Sequence, residues 1–130
     1  MQSSPSHSIL DITALAAIRE IVGDDEPMLF VQIIDCYLQE SPALLAVMRT
    51  ALVQENTEEF TRAAHSLKSS SQYLGAVELV ALCRQLEQIG QLNRIEDRAE
   101  EIAVTMAQLE AQYLQVEVAL QQERDAAELL

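Results

Sequence analysis

From Ile95 to Leu120 the chain repeats an apolar or small residue at Ile95, Ala99, Ile102, Met106, Leu109, Tyr113, Val116 and Leu120, at intervals that alternate four and three. Such a run keeps one side of an α-helix apolar for about seven turns. It reads as one wall of an antiparallel helical bundle, although pairing between helices of separate chains uses the same pattern. At about 1.5 Å per residue the last helix, opening near Asn93, reaches roughly 50 Å, so its end can overhang shorter neighbours and offer itself to a partner. Residues 121–130 carry weak periodicity and are a candidate for fraying.

The rest of the chain supplies the other walls. Three glycines, three prolines, no tryptophan and abundant Ala, Leu, Glu and Gln favour helices, and no sheet is expected. Punctuation marks five or six helices. Asp11 can cap a short first helix carrying Ile12, Leu15, Ile18, Ile21 and Val22, closed by Gly23 with Asp24 and Asp25 and placed like a lid. A second begins near Glu26-Pro27 and carries Leu29, Phe30, Ile33, Ile34, Tyr37 and Leu38. At Ser41-Pro42 the chain either starts a new helix, with Leu44, Leu45, Val47, Met48 and Leu52, or bends the old one. A third runs from Asn56, with Glu59 in capping-box position, to Gly75, which suits a left-handed terminal residue. Residues 76–89 form a fourth with Leu79, Cys83 and Leu86 inward, and Gly90 is expected to end it.

At 130 residues with 49% hydrophobic content the chain is long enough for one domain with its own core. Residues 1–10 read as a flexible polar tail, with His7 solvated, residues 11–120 as the bundle, and residues 121–130 as the end of the last helix. A net charge of -13 repels phosphate backbones and anionic lipid, which makes nucleic acid and membrane surfaces poor partners. Cys36 and Cys83 sit in apolar helical patterns rather than at metal-ligand spacing, and both are expected in the core of a protein from a reducing compartment. No run of roughly 18 apolar residues and no signal segment is present, so a cytoplasmic, monomeric protein is expected.

One short segment carries chemistry. Lys68, the only lysine, follows His65 by three residues, one turn along a helix. With Leu67 at the centre of the buried stripe, Phe60, Ala63, Ala64, Ser71 and Leu74 fall within roughly 60° of it, whereas His65 lies roughly 160° away and should face water. Arg62 precedes the imidazole by three residues, and Thr61, Ser69 and Gln72 share the outer face with one acidic residue, Glu58. A neutral imidazole is a nucleophile, and a neighbouring ammonium can neutralise an anion attached to it, so the pair points to a phosphoryl carrier. From spacing alone, an ordinary solvated helix face explains the pattern equally well.

The segment His65-Ser66-Leu67-Lys68-Ser69-Ser70-Ser71-Gln72-Tyr73-Leu74-Gly75-Ala76, followed by Leu86-Glu87, resembles the signature of histidine-containing phosphotransfer (HPt) domains. The similarity covers roughly residues 10 to 115. The resemblance implies an all-α fold, an antiparallel up-down four-helix bundle, here with an additional short N-terminal helix. It implies a phosphorelay intermediate: His65 as phosphoacceptor, Lys68 steadying the phosphoryl oxygens, and Gly75 ending the histidine helix. Its partners would be response-regulator receiver domains, including those of hybrid sensor histidine kinases. Arg62, Ser69 and Gln72 are candidate rim residues for docking. Ser69 stands where the family often has glycine, which leaves a small side chain at the approach. Glu87 aligns with a glutamine that supports the imidazole in some members, with Gln85 and Gln88 nearby, so this support is in doubt here.

An imidazole of ordinary pKa near 6.5 is mainly neutral at pH 7 and able to attack phosphorus. The chain has no glycine-rich phosphate loop and no convincing acidic magnesium site. A metal, a cofactor and kinase activity are therefore not expected in the chain itself, and magnesium would come with the receiver. Two other classes share the pattern. A helical adaptor or dimerisation module would show the same heptads and acidity, with His65 incidental. A metal-binding bundle would need several inward carboxylates and histidines, for which the chain offers little.

Overall fold

The computed structural model describes residues 9–23 and 25–129; the tail expectation for residues 1–8, His7 included, lies outside them. Among the described residues five α-helices follow one another: α1 Ile12–Val22, α2 Pro27–Val53, α3 Thr57–Tyr73, α4 Val77–Leu92 and α5 Ala99–Glu128, with a 3-10 turn at Ile95–Arg98 before α5. No strand occurs among the described residues. The helices α2 to α5 form an up-down bundle in which α3 packs on α2 and α4, and α5 closes the ring against α2 and α4, diagonal to α3. The helix α1 lies against α2 as a fifth, short element.

Local chemistry explains most boundaries. Asp11 caps α1 by accepting from the Thr13 amide at 2.9 Å, and Gly23, at φ +91°, ends it. Leu10 is buried in the core beside Leu15 and Ile18, so the ordered unit begins before residue 11. Asn56 caps α3 through the Glu59 amide, but Glu59 turns to Arg62 rather than back to residue 56, so the capping box is half made. At the other end Gly75 adopts φ +77°, while Ala76 N reaches Ser71 O and Gly75 N reaches Gln72 O, a Schellman closure. The Asp11 amide then donates to Gly75 O at 2.8 Å, which ties α1 to the α3–α4 turn. A Cβ at Gly75 would lie 2.9 Å from both Ala14 Cβ and Asp11 O, so glycine serves close approach as well as φ.

At Ser41-Pro42 no new helix starts: α2 runs unbroken through Pro42 as an extension of the same helix. Pro42 is exposed, where water can serve the Leu38 carbonyl that its missing N–H leaves free, and the Ser41 hydroxyl donates to Tyr37 O at 2.5 Å. Tyr37 OH and Ser71 Oγ, 2.7 Å apart and buried, then join α2 to α3.

Three expectations are corrected. Gly90 does not end α4, which continues to Leu92; a Cβ there would fall 2.0 Å from Thr61 Oγ1, so the glycine lets α4 approach α3. Cys36 is exposed, with its thiol donating to Glu40, and only Cys83 is in the core. Finally, α5 does not overhang. Beyond residue 120, Arg124 pairs with Asp35 on α2, Glu123 with Arg19 on α1 at 3.1 Å, and Ala127 is buried. Arg19 also stacks over the Phe30 ring, 4.4 Å from its centre, so one guanidinium links α1 both to α2 and to the end of α5.

Candidate functional site

The site grows from the α3–α4 interface. On α3, Phe60, Ala63, Ala64, Leu67 and Ser71 turn inward, which leaves His65 on the opposite face with 58% of its side chain exposed. On α4, Leu79, Cys83 and Leu86 turn inward, and the same register carries Glu87 into the interface. Glu87 is a buried charge, with only 9% of its side chain exposed. Such a group persists only when it is paired.

Its partners are the two residues singled out on α3. Glu87 Oε2 lies 2.7 Å from His65 Nδ1, and Oε1 lies 2.6 Å from Lys68 Nζ. Gln91, one turn further along α4, donates from Nε2 to Oε2 at 3.3 Å. Burial works to raise the Glu87 carboxyl, but the hydrogen bonds and charges of Lys68 and His65 outweigh it and hold it below the ordinary carboxylate range. The group is thus an anion at neutral pH and can only accept. A neutral His65 must then carry its proton on Nδ1, which leaves the lone pair on Nε2, at the far edge of an exposed ring.

Lys68 does not stand free in solvent. Its side chain is 20% exposed and its ammonium rests on Glu87, one turn from the imidazole. An ammonium has three donors, so one contact leaves two for an anion placed beside it. Cys83 sits just inside this cluster, and its thiol is pushed up to about 12 by burial first and the Glu87 charge second, against the Lys68 charge. That thiol is inert at neutral pH.

The candidate rim residues are spread out. Arg62 ion-pairs with Glu59 at 2.7 Å and, with Thr57, Glu58, Thr61, Glu87 and Gly90, lines an open groove of ≈ 550 Å³ beside His65. Ser69 is exposed on the next turn. Gln72 belongs to a separate groove near Asp11, Gly75 and Arg84. Gln85 and Gln88 are exposed along a third groove with Leu92 and Arg98, away from the imidazole. The support that sequence left in doubt is therefore made by Glu87 itself. Gln91 was not anticipated; its only sequence signal is its position four residues after Glu87. Among the described residues no three His, Cys, Asp or Glu side chains converge as a metal-binding set, and no helix is long and apolar enough to cross a membrane.

A sequence model of the Hpt domain matches residues 32–127. Among solved structures, histidine-containing phosphotransfer protein B from Pseudomonas aeruginosa PAO1 is similar at a TM-score of 0.80 and 25% identity, over 91% of this chain and 96% of that one. A putative histidine-containing phosphotransfer protein from rice shares the fold at a TM-score of 0.80 and 17% identity, over 95% of this chain and 85% of its own. A search of curated proteins gave no match.

Proposed function

This chain belongs to the Hpt domain family and is a phosphotransfer intermediate of phosphorelays; we propose that His65 takes the phosphoryl group from a receiver-domain phosphoaspartate and passes it to another receiver domain. The observation that carries this reading is the Glu87 carboxylate on Nδ1, which leaves an exposed Nε2 as the nucleophile.

The Nε2 lone pair attacks phosphorus in line with the aspartyl oxygen. As the N–P bond forms, the P–O bond breaks and its electrons leave on the receiver's carboxylate. The product is a phosphoramidate on an imidazolium that keeps its Nδ1 proton and donates it in a hydrogen bond to Glu87, so the ring's new positive charge faces a fixed negative one. Lys68 places its ammonium near the added phosphoryl charge while still tied to Glu87. Reversal against a second receiver returns the group. The protein acts as a carrier without kinase activity of its own, and magnesium enters with the receiver. Docking covers the His65 face, with Arg62, Ser69 and Gln72 at its rim.

The test is transfer from a phosphorylated receiver to the full chain and to His65→Gln. Acid-labile, alkali-stable label on the wild type alone is the expected result. Label of equal intensity on His65→Gln, or none on the wild type from any receiver of the source organism, overturns the reading.

A further inference from the structure

A phosphoryl group on Nε2 of His65 spreads up to two negative charges over three oxygens, and the Lys68 ammonium meets it from one side only. Lys68 and Ser69 follow His65 by three and four residues, so at 100° per residue Lys68 stands about 60° to one side of it and Ser69 about 40° to the other. The Lys68 side is the α4 side, where its ammonium rests on Glu87 Oε1 and where Thr61 closely approaches Gly90. Ser69 is on the far side. Glu87 also draws Nδ1 toward α4, which turns the opposite ring edge, Cδ2 and Nε2, to the side on which Ser69 stands. Helical side chains lean toward the N-terminus of their helix, so a residue one turn after His65 reaches back over it. Arg62, one turn before His65 on this same side, leans away and pairs with Glu59.

The Ser69 hydroxyl is also uncommitted. Ser70, the next residue, is partly buried and gives its hydroxyl to Ser66 O at 3.0 Å and Leu67 O at 3.4 Å. Ser69 is exposed, and its hydroxyl has no partner among the described residues. A short side chain with one rotatable χ loses little freedom when it is aimed, and the hydroxyl proton turns to suit its acceptor. Glycine, which the family often has at this position, offers no such donor, because an amide in the middle of a helix is already bonded.

We propose that the Ser69 hydroxyl donates a hydrogen bond to a phosphoryl oxygen of phosphorylated His65, on the side opposite the Lys68 ammonium, and so lengthens the lifetime of the loaded carrier. The inference rests on His65 as the phosphoacceptor. In hydrolysis a water oxygen bonds to phosphorus, the N–P bond breaks, and its electron pair returns to Nε2. The transition state is loose and metaphosphate-like, with less charge on the three oxygens than the phosphoryl dianion carries. Donors to those oxygens hold the ground state more tightly than the transition state, so hydrolysis slows.

The test needs no receiver, which keeps it separate from the transfer experiment. In a His7→Gln background His65 is the one histidine of the chain. The full chain is loaded with potassium phosphoramidate and freed of reagent, and the loss of phosphohistidine is followed at about pH 8, above the second ionisation of a phosphoryl group. Ser69→Ala and Ser69→Gly should shorten the half-life roughly two- to tenfold, the span of a net hydrogen bond, with unchanged helical circular dichroism. Ser69→Thr, which keeps the hydroxyl, should retain most of the half-life, and Ser70→Ala should leave it as it was. Equal half-lives with and without Ser69→Ala overturn the proposal and leave the carrier reading standing. So does a Ser70→Ala effect as large as that of Ser69→Ala, or a Ser69→Thr adduct that decays as fast as that of Ser69→Ala. No label on His65 from any receiver, by contrast, overturns the carrier reading and this proposal with it.

Discussion

Glu87 Oε2 lies 2.7 Å from His65 Nδ1, across the interface between α3 and α4. The contact joins the most buried acidic side chain of the site to its most exposed nucleophile, and it fixes which ring nitrogen is free. It also separates two things that a supporting side chain does for an imidazole: accepting the Nδ1 proton, and opposing the charge that appears on the ring. A glutamine oxygen does the first and a carboxylate does both.

Replacing Glu87 by Gln and by Ala separates these effects. Glu87→Gln keeps an acceptor for Nδ1–H, so phosphotransfer should slow by about tenfold or less, with a shorter phosphohistidine lifetime. Glu87→Ala loses orientation as well; a charge-assisted hydrogen bond of ~1.5–3 kcal/mol corresponds to roughly a 10- to 100-fold slower transfer. Rapid-quench transfer from one phosphorylated receiver measures both. Equal rates for wild type and Glu87→Ala would show that the contact has no part in the reaction.

The same carboxyl makes stability depend on pH. Its folded value lies below the ordinary 4.5, because Lys68 and His65 favour the anion more than burial disfavours it. The unfolded chain therefore binds this proton more readily, and the folded state gains from Glu87 above the ordinary value. That gain is lost as pH falls from 4.5 through the lower folded value. Urea midpoints of wild type and Glu87→Gln should differ by a constant amount at pH 6 to 7 and converge below about pH 4. A gap that stays level into acid would mean that Glu87 titrates no differently in the folded protein.

Lys68→Ala tests the ammonium, and the geometry adds an effect to the kinetic one. With Lys68 gone, a carboxylate 9% exposed keeps only His65 and Gln91, so the fold should lose about 1–3 kcal/mol in denaturant while remaining helical. Transfer should slow or the phosphohistidine should hydrolyse faster. Adding Glu87→Gln should recover much of the stability and none of the transfer, since the unpaired charge disappears but the missing cation does not return. Full recovery of transfer in the double variant would remove the ammonium from the mechanism.

The helices and their inward faces were legible because periodicity is a local property: the residues placed around Leu67 are those that α3 buries. Positions decided by a partner far along the chain were not. Glu87 meets residues 19 and 22 positions earlier, and the sequence marked it only through its alignment with a supporting glutamine of the resembling family, which left the contact itself open. Cys36 was misplaced because it lies close to the apolar residues Ile33, Ile34, Tyr37 and Leu38 but falls about 100° from Tyr37 on the helix, outside the buried stripe. The path through Pro42 turned on whether its surroundings face water, and the end of α5 on Asp35 and Arg19, neither visible in the pattern of α5 itself.

Gly90 is the clearest such case and supports the last prediction. Near the end of an apolar pattern a glycine reads as a terminator, yet this one is inside α4, where Ala would ordinarily be favoured by about 0.5–1 kcal/mol. Here a Cβ would fall 2.0 Å from Thr61 Oγ1 and 3.2 Å from Thr61 Cβ, and the Thr61 hydroxyl is already committed to Thr57 O at 2.7 Å. Gly90→Ala should therefore destabilise by ~1–3 kcal/mol despite its better helix propensity. Because Thr61 and His65 are one turn apart on α3, and Glu87 and Gly90 about one turn apart on α4, wedging the helices at this point should also lengthen the Glu87–His65 contact and slow transfer. Thr61→Ala in the same chain removes the hydroxyl and should restore most of both losses. If Gly90→Ala alone raises the urea midpoint, the close approach of α3 and α4 at this level does not exist in solution.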